Sequence, residues 1–242
     1  MCYHKSLTVK HQKLMEHYSA SFASIREENE IKRYHENGFD FLPTPVVTAG
    51  KPELLQDFNW GLIPFWTKDL AGALRLRTQT LNCISEEMYD KPSFKDAAKN
   101  HQRCLIPCSG FYEWRWLDEK GKSKIPYFIS LKGTDLFSLA GLYSRWRNPE
   151  TDAYLYTYTV LTTTANKMMS EIHNSKLRMP VIIPREYEKD WLNKSLTKDD
   201  VFAFCQPIDD STMEARTISK LITTKGADTN VPEVMAAHPY EK

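Results

Sequence analysis

The sequence has no long hydrophobic run and no excess of charge of either sign. No stretch of its 242 residues approaches the roughly 18 apolar residues of a membrane helix, so we expect no transmembrane segment. Lys and Arg number 32 and Asp and Glu number 31, which gives a net charge of +1. This balance argues against a histone-like protein that binds polyanions through bulk charge, although it allows a local basic cleft.

Cysteine is also scarce. The five cysteines are Cys2, Cys83, Cys104, Cys108 and Cys205. Their odd number, and a beginning of the chain without the apolar segment of a secretory signal, lead us to expect reduced thiols in a cytoplasmic protein. Cys104, Cys108 and His101 come nearest to a metal-binding cluster, but their spacing is poor and a fourth ligand is missing. The sequence therefore predicts no metal site, and it indicates no other cofactor.

Repeats, low-complexity tracts and Ser/Gly-rich linkers are absent. Apolar residues between Leu14 and Ile25 recur at spacings of four, four and three, which predicts an N-terminal helix over about residues 8–36. After it, short apolar runs closed by proline or turn residues predict mostly strands. The clearest strand candidates are residues 59–64, 103–107, 111–116 and 154–163, and shorter helices are predicted at 165–172 and 184–192.

Many short strands with few helices predict an α+β fold. We expect a single domain over residues 1–223, which includes the N-terminal helix. Its centre should be a curved, barrel-like, mostly antiparallel sheet with peripheral helices. The polar, proline-containing tail of residues 224–242 is expected to be loosely held.

Cys2 is chemically the most distinctive residue. Removal of Met1, which a small second residue favours, leaves an α-amine and a thiol on adjacent carbons. The amine, with a pKa of about 7.7 to 8.0, is partly neutral near pH 7, and the thiol, near 8.5, supplies a little thiolate. Such a 1,2-aminothiol condenses with an aldehyde to an imine, which the sulfur closes to a thiazolidine. Taken alone, a penultimate Cys more often has no function.

Other polar residues suggest chemistry, each beside a plainer alternative. Glu113 lies within an aromatic strand, where burial would raise its pKa and suit it to acid/base work, unless it faces solvent. His173 could titrate near neutrality in a cleft, or lie in a surface loop. Asn82 could hydrogen-bond a substrate, or simply occupy a turn. Arg75 and Arg77 could share one strand face and grip phosphates, or be solvated.

Taken together, blocks of the sequence resemble the SRAP (SOS response-associated peptidase) family, proteins that shield abasic sites in single-stranded DNA. The most specific block is Cys-Leu-Ile-Pro followed by Gly-Phe-Tyr-Glu-Trp, within residues 104–114. The similar blocks span most of the chain in the family's order. They are residues 1–2, 60–64, 82–86, 103–114, 140–143 and 162–166, with His173 and residues 178–180.

The resemblance implies a role for each candidate. It implies that Cys2 crosslinks to the ring-opened aldehyde of an abasic deoxyribose and that Asn82 positions Cys2 or the sugar. It implies that Glu113 is the acid/base of ring opening and thiazolidine closure. His173 would contact the sugar-phosphate at the lesion and shuttle a proton.

The resemblance also implies DNA contacts. Trp60 and Pro64 would form an apolar wedge that stacks on bases beside the lesion, a contact that tolerates any sequence. Arg103 and Arg178 would bind the DNA backbone. The expected partner is therefore single-stranded DNA containing an abasic site.

The chain departs from the family pattern at two places. Tyr3 and His4 stand where the family reads Gly-Arg, and Cys83-Ile84 stands where it reads Ala-Arg. Both changes remove an arginine that would touch DNA phosphates. Arg75, Arg77 and Lys176 are the candidates to compensate.

Three functions follow as hypotheses. The first is a monomeric, nucleoid-associated protein of the DNA damage (SOS) response that crosslinks to abasic sites. The second is an N-terminal-nucleophile hydrolase or autoproteolytic peptidase, in which the α-amine is the base for the Cys2 thiol and Asn82 polarises an oxyanion. The third is a nucleic-acid-binding module without catalysis, which the near-neutral charge disfavours.

Overall fold

The structure is a computed structural model, and it describes residues 2–24 and 30–240. The strands are β1 His4–Lys10, β2 Ser21–Phe22, β3 Glu30–Asn37, β4 Pro43–Thr48, β5 Lys51–Trp60, β6 Asn82–Ile84, β7 Arg103–Cys108, β8 Gly110–Trp116, β9 Lys124–Leu131, β10 Phe137–Arg147, β11 Tyr154–Thr164, β12 Arg178–Pro180, β13 Ile182–Ile183 and β14 Met213–Thr217. The helices are α1 His11–Tyr18, α2 Leu70–Arg77, α3 Lys95–Lys99, α4 Lys167–Ile172, α5 Glu188–Trp191 and α6 Lys198–Phe204. None of the helices in this part of the chain has the length and apolar character needed to span a bilayer.

Five strands close into a barrel. β7 pairs antiparallel with β4 and β10, β10 pairs with β11, and β4 pairs with β5. The ring closes where β11 runs parallel to β5, with Tyr158 opposite Trp60. A closed ring has no free edge that could pair with another chain. The prediction of a single α+β domain on a barrel-like, mostly antiparallel sheet is confirmed.

A second sheet of five antiparallel strands, in the order β14-β9-β8-β1-β3, packs beside the barrel. The chain passes from one sheet to the other at Ser109, whose N–H donates to the carbonyl of Ser6 at 2.8 Å. The next residue, Gly110, leaves no room for a side chain, because a Cβ there would lie 2.1 Å from the Phe128 ring. The close approach of β8 to β9 therefore depends on glycine.

The predicted helix over residues 8–36 is wrong. Among the described residues of this range only α1 is helical, and it ends where Ser19 takes a left-handed conformation with φ 51°. The residues before it form β1, which pairs antiparallel with β3 so that Val9 lies opposite Ile31. Residues four apart lie on the same side of a helix, and they also lie on the same face of a strand, where side-chain direction repeats every two residues. The spacing of the apolar residues therefore could not distinguish a long helix from a helix flanked by strands. Residues 25–29 of the predicted helix lie outside the described residues.

The tail is held more firmly than predicted. Val234 is fully buried. Arg216 Nε donates to the carbonyl of Met235 at 2.8 Å, and Ile218 forms a β-bridge with Ala237. The segment is thus held by a buried side chain, a side-chain hydrogen bond and a β-bridge, which its polar composition does not reveal. Residues 241–242 lie outside the described residues.

Candidate functional site

Three of the four predicted catalytic residues meet where the two sheets join. Cys2 lies two residues before the start of β1 and is fully buried. Glu113 comes from β8, and His173 ends α4 with its Nε2 atom 3.7 Å from Glu113 Oε2. Burial raises the pKa of the Cys2 thiol, and the negative charge of Glu113 raises it further. The cysteine is therefore a neutral thiol close to a carboxyl group.

Glu113 points inward because residues alternate along β8. Phe111 and Glu113 lie on the face that packs against the interior, and Glu113 is only 4% exposed. Burial raises the pKa of its carboxyl group to about 7. The protonated and ionised forms are then both populated near neutral pH, which is the condition for efficient general acid/base catalysis.

His173 has a defined tautomer. Its Nδ1 atom lies 2.7 Å from the carbonyl oxygen of Arg178, and a carbonyl can only accept, so Nδ1 donates. In the neutral ring, Nε2 is then the acceptor on the side of Glu113. Burial lowers the pKa of His173 to about 4, so the ring is neutral at pH 7. The titration near neutrality expected of the histidine belongs instead to Glu113.

Asn174 fixes the histidine loop to the strand that carries Glu113. Its Nδ2 donates to the carbonyl of Trp116 at 2.9 Å, and the N–H of Trp116 donates to its Oδ1 at 3.0 Å. The Asn174 side chain thus makes the pair of hydrogen bonds with Trp116 that the backbone of a neighbouring strand would make. Sequence reasoning missed this residue, since nothing in its surroundings distinguishes it from an ordinary turn asparagine.

Asn82 begins β6, which pairs parallel with β11 opposite Val160. The residue is 9% exposed, and among the described residues neither its Oδ1 nor its Nδ2 has a hydrogen-bond partner. A buried amide left unpaired costs about 1–3 kcal/mol, so such groups usually have a use. The amide is therefore an unused hydrogen-bonding group whose polar atoms lie just beneath the surface.

A cavity of about 610 Å³ opens over Glu113 and His173. Glu113 is the one acidic residue among the described residues that line it. Its wall also carries four exposed lysines and two tryptophans, which are Lys122, Lys124, Lys176, Lys220, Trp114 and Trp116. A wall of one charge suits a polyanionic backbone. Sequence reasoning named only Lys176, because the other lysines come together only in the fold.

Two of the predicted phosphate-binding arginines serve the interior instead. Arg103 is 1% exposed, and its Nε donates to the carbonyl of Trp191 at 2.9 Å. Arg77 is 9% exposed and donates to the carbonyl of Trp60 at 3.3 Å. As placed, neither reaches a ligand, because the guanidinium donors satisfy buried carbonyl groups.

The other two arginines differ from each other. Arg75 and Arg77 do not share a strand face, because both lie in α2, where residues two apart point in different directions. Arg75 is exposed. Arg178 makes two hydrogen bonds, of 2.7 and 2.8 Å, to the carboxylate of Glu86. These bonds are the main reason that the pKa of Glu86 is lowered to about 2.

The predicted wedge residues are also buried. Trp60 is 0% exposed, and its Nε1 donates to the carbonyl of Leu81 at 2.8 Å, so it offers no face to a base. Pro64 is buried as well. The residues that follow, Phe65 at 61% and Trp66 at 42%, are exposed. Two consecutive aromatic residues directly after a proline could have indicated this exposed pair in the sequence, but sequence reasoning did not use them.

No group of three or more His, Cys, Asp or Glu within residues 2–24 and 30–240 is placed to hold a metal ion. All five cysteines are unoxidised and buried.

Comparison with known proteins gives consistent results. A family model described as SOS response associated peptidase (SRAP) matches residues 1–225. The chain is 40% identical over 194 residues to "Abasic site processing protein YoqW" of Bacillus subtilis, covering 80% of this chain and 81% of that protein. It is 38% identical over 218 residues to "Abasic site processing protein YoaM" of the same species, covering 86% and 90%. A crystal structure of a Bacteroides thetaiotaomicron protein matches with a TM-score of 0.90 and 34% identity, over 98% of this chain and 100% of that one.

Proposed function

Because the chain belongs to the SOS response-associated peptidase (SRAP) family, we propose that it processes abasic sites in DNA, as its relatives are named for doing. It binds the lesion in single-stranded DNA and joins Cys2 to the sugar aldehyde as a thiazolidine. The observation that carries the proposal is the Glu113–His173 pair beside Cys2, beneath a lysine-lined cavity.

The reaction needs a proton to move at each step. Glu113 takes the proton of the anomeric hydroxyl and returns one to the ring oxygen, which opens the sugar to its aldehyde. The α-amine of Cys2, freed by removal of Met1, adds to this carbon and passes its surplus proton to the Glu113 carboxylate. The carboxyl group, now protonated, helps the resulting hydroxyl leave as water. The thiol then adds to the imine carbon while its proton passes to nitrogen. Water is the single by-product.

The state of the Cys2 thiol favours this route over hydrolysis of amide bonds. A cysteine hydrolase needs a thiolate, and such enzymes lower the pKa of the thiol to obtain it. Here burial and the charge of Glu113 raise that pKa. In the crosslinking route the amine attacks first and a neutral thiol is sufficient.

The basic wall and the exposed aromatics suit a single strand. The lysines around the cavity hold phosphates without reading sequence. Phe65 and Trp66 replace Trp60 and Pro64 as the candidates for base stacking, because their rings reach solvent. Intact duplex is a poorer substrate, since exposing a stacked sugar costs a few kcal/mol.

The test is a denaturing gel of protein incubated with single-stranded DNA that contains one abasic site. We expect a heat-resistant adduct that Cys2→Ser abolishes, because an oxygen analogue closes less favourably. One extra N-terminal residue should abolish it too, since the amine becomes an amide. Cys205→Ser, which alters a buried thiol in another core cluster, should leave the adduct intact. An adduct that survives Cys2→Ser would contradict the mechanism.

A further inference from the structure

Two aromatic rings meet at the edge of the cavity without belonging to the acid/base machinery. The rings of Tyr3 and Phe39 have centroids 5.4 Å apart and planes 36° apart. Tyr3 lines the cavity together with Glu113 and His173, and it directly follows Cys2 in the chain. Phe39 is 47% exposed. The two rings therefore form a continuous apolar surface, here called the step, that runs from the cavity to the solvent.

The exposed ring is held in place. Phe39 lies in a one-turn 3-10 helix, Gly38–Asp40, between β3 and β4. The N–H of Gly38 donates to the carbonyl of Tyr3 at 2.8 Å, and the N–H of Phe39 donates to Asn37 Oδ1 at 3.2 Å. A Cβ at Gly38 would lie only 3.2 Å from the ring of Trp60, so the turn rests directly on the core. The Phe39 ring is therefore held at the surface by the fold itself.

The step also lies close to the reacting groups. The pKa of Tyr3 is raised mainly by burial and, further, by the negative charge of Glu113. The lysine wall of the same cavity selects a ligand with a negatively charged backbone. A ligand that is both a polyanion and able to cover a flat apolar ring is a strand of nucleic acid, whose bases stack on aromatic side chains.

We propose that Tyr3 and Phe39 form a stacking platform for the nucleobase adjacent to the abasic nucleotide. An abasic sugar leaves the base beside it without a stacking partner on one face. With the lesion at Cys2, the neighbouring base comes beside the next residue, Tyr3, and Phe39 extends the surface outward. The inference rests on the proposed function, because it takes Cys2 as the position of the lesion.

The test compares two single-stranded oligonucleotides that carry a tetrahydrofuran analogue of the abasic site. One has adenine on both sides of the analogue, and the other has further base-less positions on both sides. Fluorescence anisotropy at fixed salt gives the affinity of each. A stacked base contributes about 1–3 kcal/mol, so the wild-type protein should prefer the adenine-flanked oligonucleotide by about 5- to 150-fold.

Phe39→Leu and Tyr3→Leu should each reduce that preference to within about threefold, because leucine has no aromatic face. Tyr3→Phe should retain it. Tyr187→Leu, which removes an aromatic ring of similar exposure (49%) outside this cavity, should also retain it. An unchanged preference in both leucine variants, or no preference in the wild-type protein, would overturn the platform.

A crosslinking assay on a true abasic site separates the two proposals. An adduct without any preference for a flanking base would leave the proposed function standing and the platform refuted. A preference that Phe39→Leu removes, in a protein that forms no adduct, would support the platform and refute the crosslink.

Discussion

Glu113→Gln is expected to make the protein more stable and less active. Burial raises the pKa of Glu113 from its ordinary value of 4.5 to about 7, and the residue is 4% exposed. Each pKa unit corresponds to about 1.36 kcal/mol, so ionising this carboxyl group in the folded protein costs about 3 kcal/mol. Glutamine has nearly the same shape and does not ionise.

The sign of the effect fixes the pH window. The folded protein binds the Glu113 proton more tightly than the unfolded chain does. The contribution of this residue to the free energy of unfolding is therefore fully present below pH 4.5 and is lost as the pH rises to about 7. His173 acts in the opposite direction. Its pKa is lowered from 6.5 to about 4, so its contribution is present above pH 6.5 and is lost as the pH falls toward about 4.

The assay is urea unfolding followed by tryptophan fluorescence at several pH values between about 4.5 and 8.5. Because both proteins keep His173, the difference between them isolates Glu113. It should grow by about 3 kcal/mol in favour of Glu113→Gln from the lowest pH to the highest. Glu119→Gln, an exposed carboxyl in the turn after β8, is the matched control and should follow the wild type.

The same variant should form the abasic-site adduct about 10²- to 10⁴-fold more slowly, the usual contribution of a general acid or base. The adduct rate of the wild-type protein should change around pH 7, and that change should be absent from the variant. A stability difference that stays flat with pH would refute the assignment of a buried carboxyl with a raised pKa.

Two further predictions concern the amide and the lysines. Asn82→Ala should leave the free energy of unfolding unchanged or raise it by up to about 1–3 kcal/mol, because it removes a buried amide that has no partner, yet slow adduct formation at least about tenfold; a loss of several kcal/mol in urea unfolding would show that the amide is structural. Combined Lys122→Gln, Lys124→Gln and Lys176→Gln should lower the slope of log affinity against log salt by about 2 for single-stranded DNA. Three exposed lysines away from the cavity, Lys189, Lys194 and Lys198, make the matched triple control, and an equal effect from both triples would contradict a basic wall.

Local pattern was enough to predict the strand that carries Glu113 and the general fold. The alternation of aromatic and polar residues along residues 111–116 predicted that Glu113 lies in a strand, and the structure confirms the strand. Of the two alternatives left open for the side chain, the structure shows burial rather than exposure to solvent. The helices predicted near residues 165–172 and 184–192 correspond to α4 and to the short helix α5. Such features depend on neighbours within a few residues, which the sequence displays directly.

Features that depend on distant partners could not be predicted. Arg103 is buried because the carbonyl of Trp191, 88 residues later, accepts from it. Trp60 is buried because β5 closes the barrel against β11, which stacks its ring on Tyr158 at 6.0 Å. In the sequence, a buried arginine or tryptophan cannot be distinguished from an exposed one. Only the tertiary fold assigns the side chain to solvent or to the core.

The candidate site draws on both sheets of the molecule. Glu113 belongs to the second sheet, Asn82 and the helix bearing His173 adjoin the barrel strand β11, and Asn174 ties the two together. The proposed chemistry needs groups from both sheets, so we expect a fragment or a partly opened intermediate to be inert even with every secondary-structure element in place. The reactivity of Cys2 would then measure whether the whole chain has finished folding.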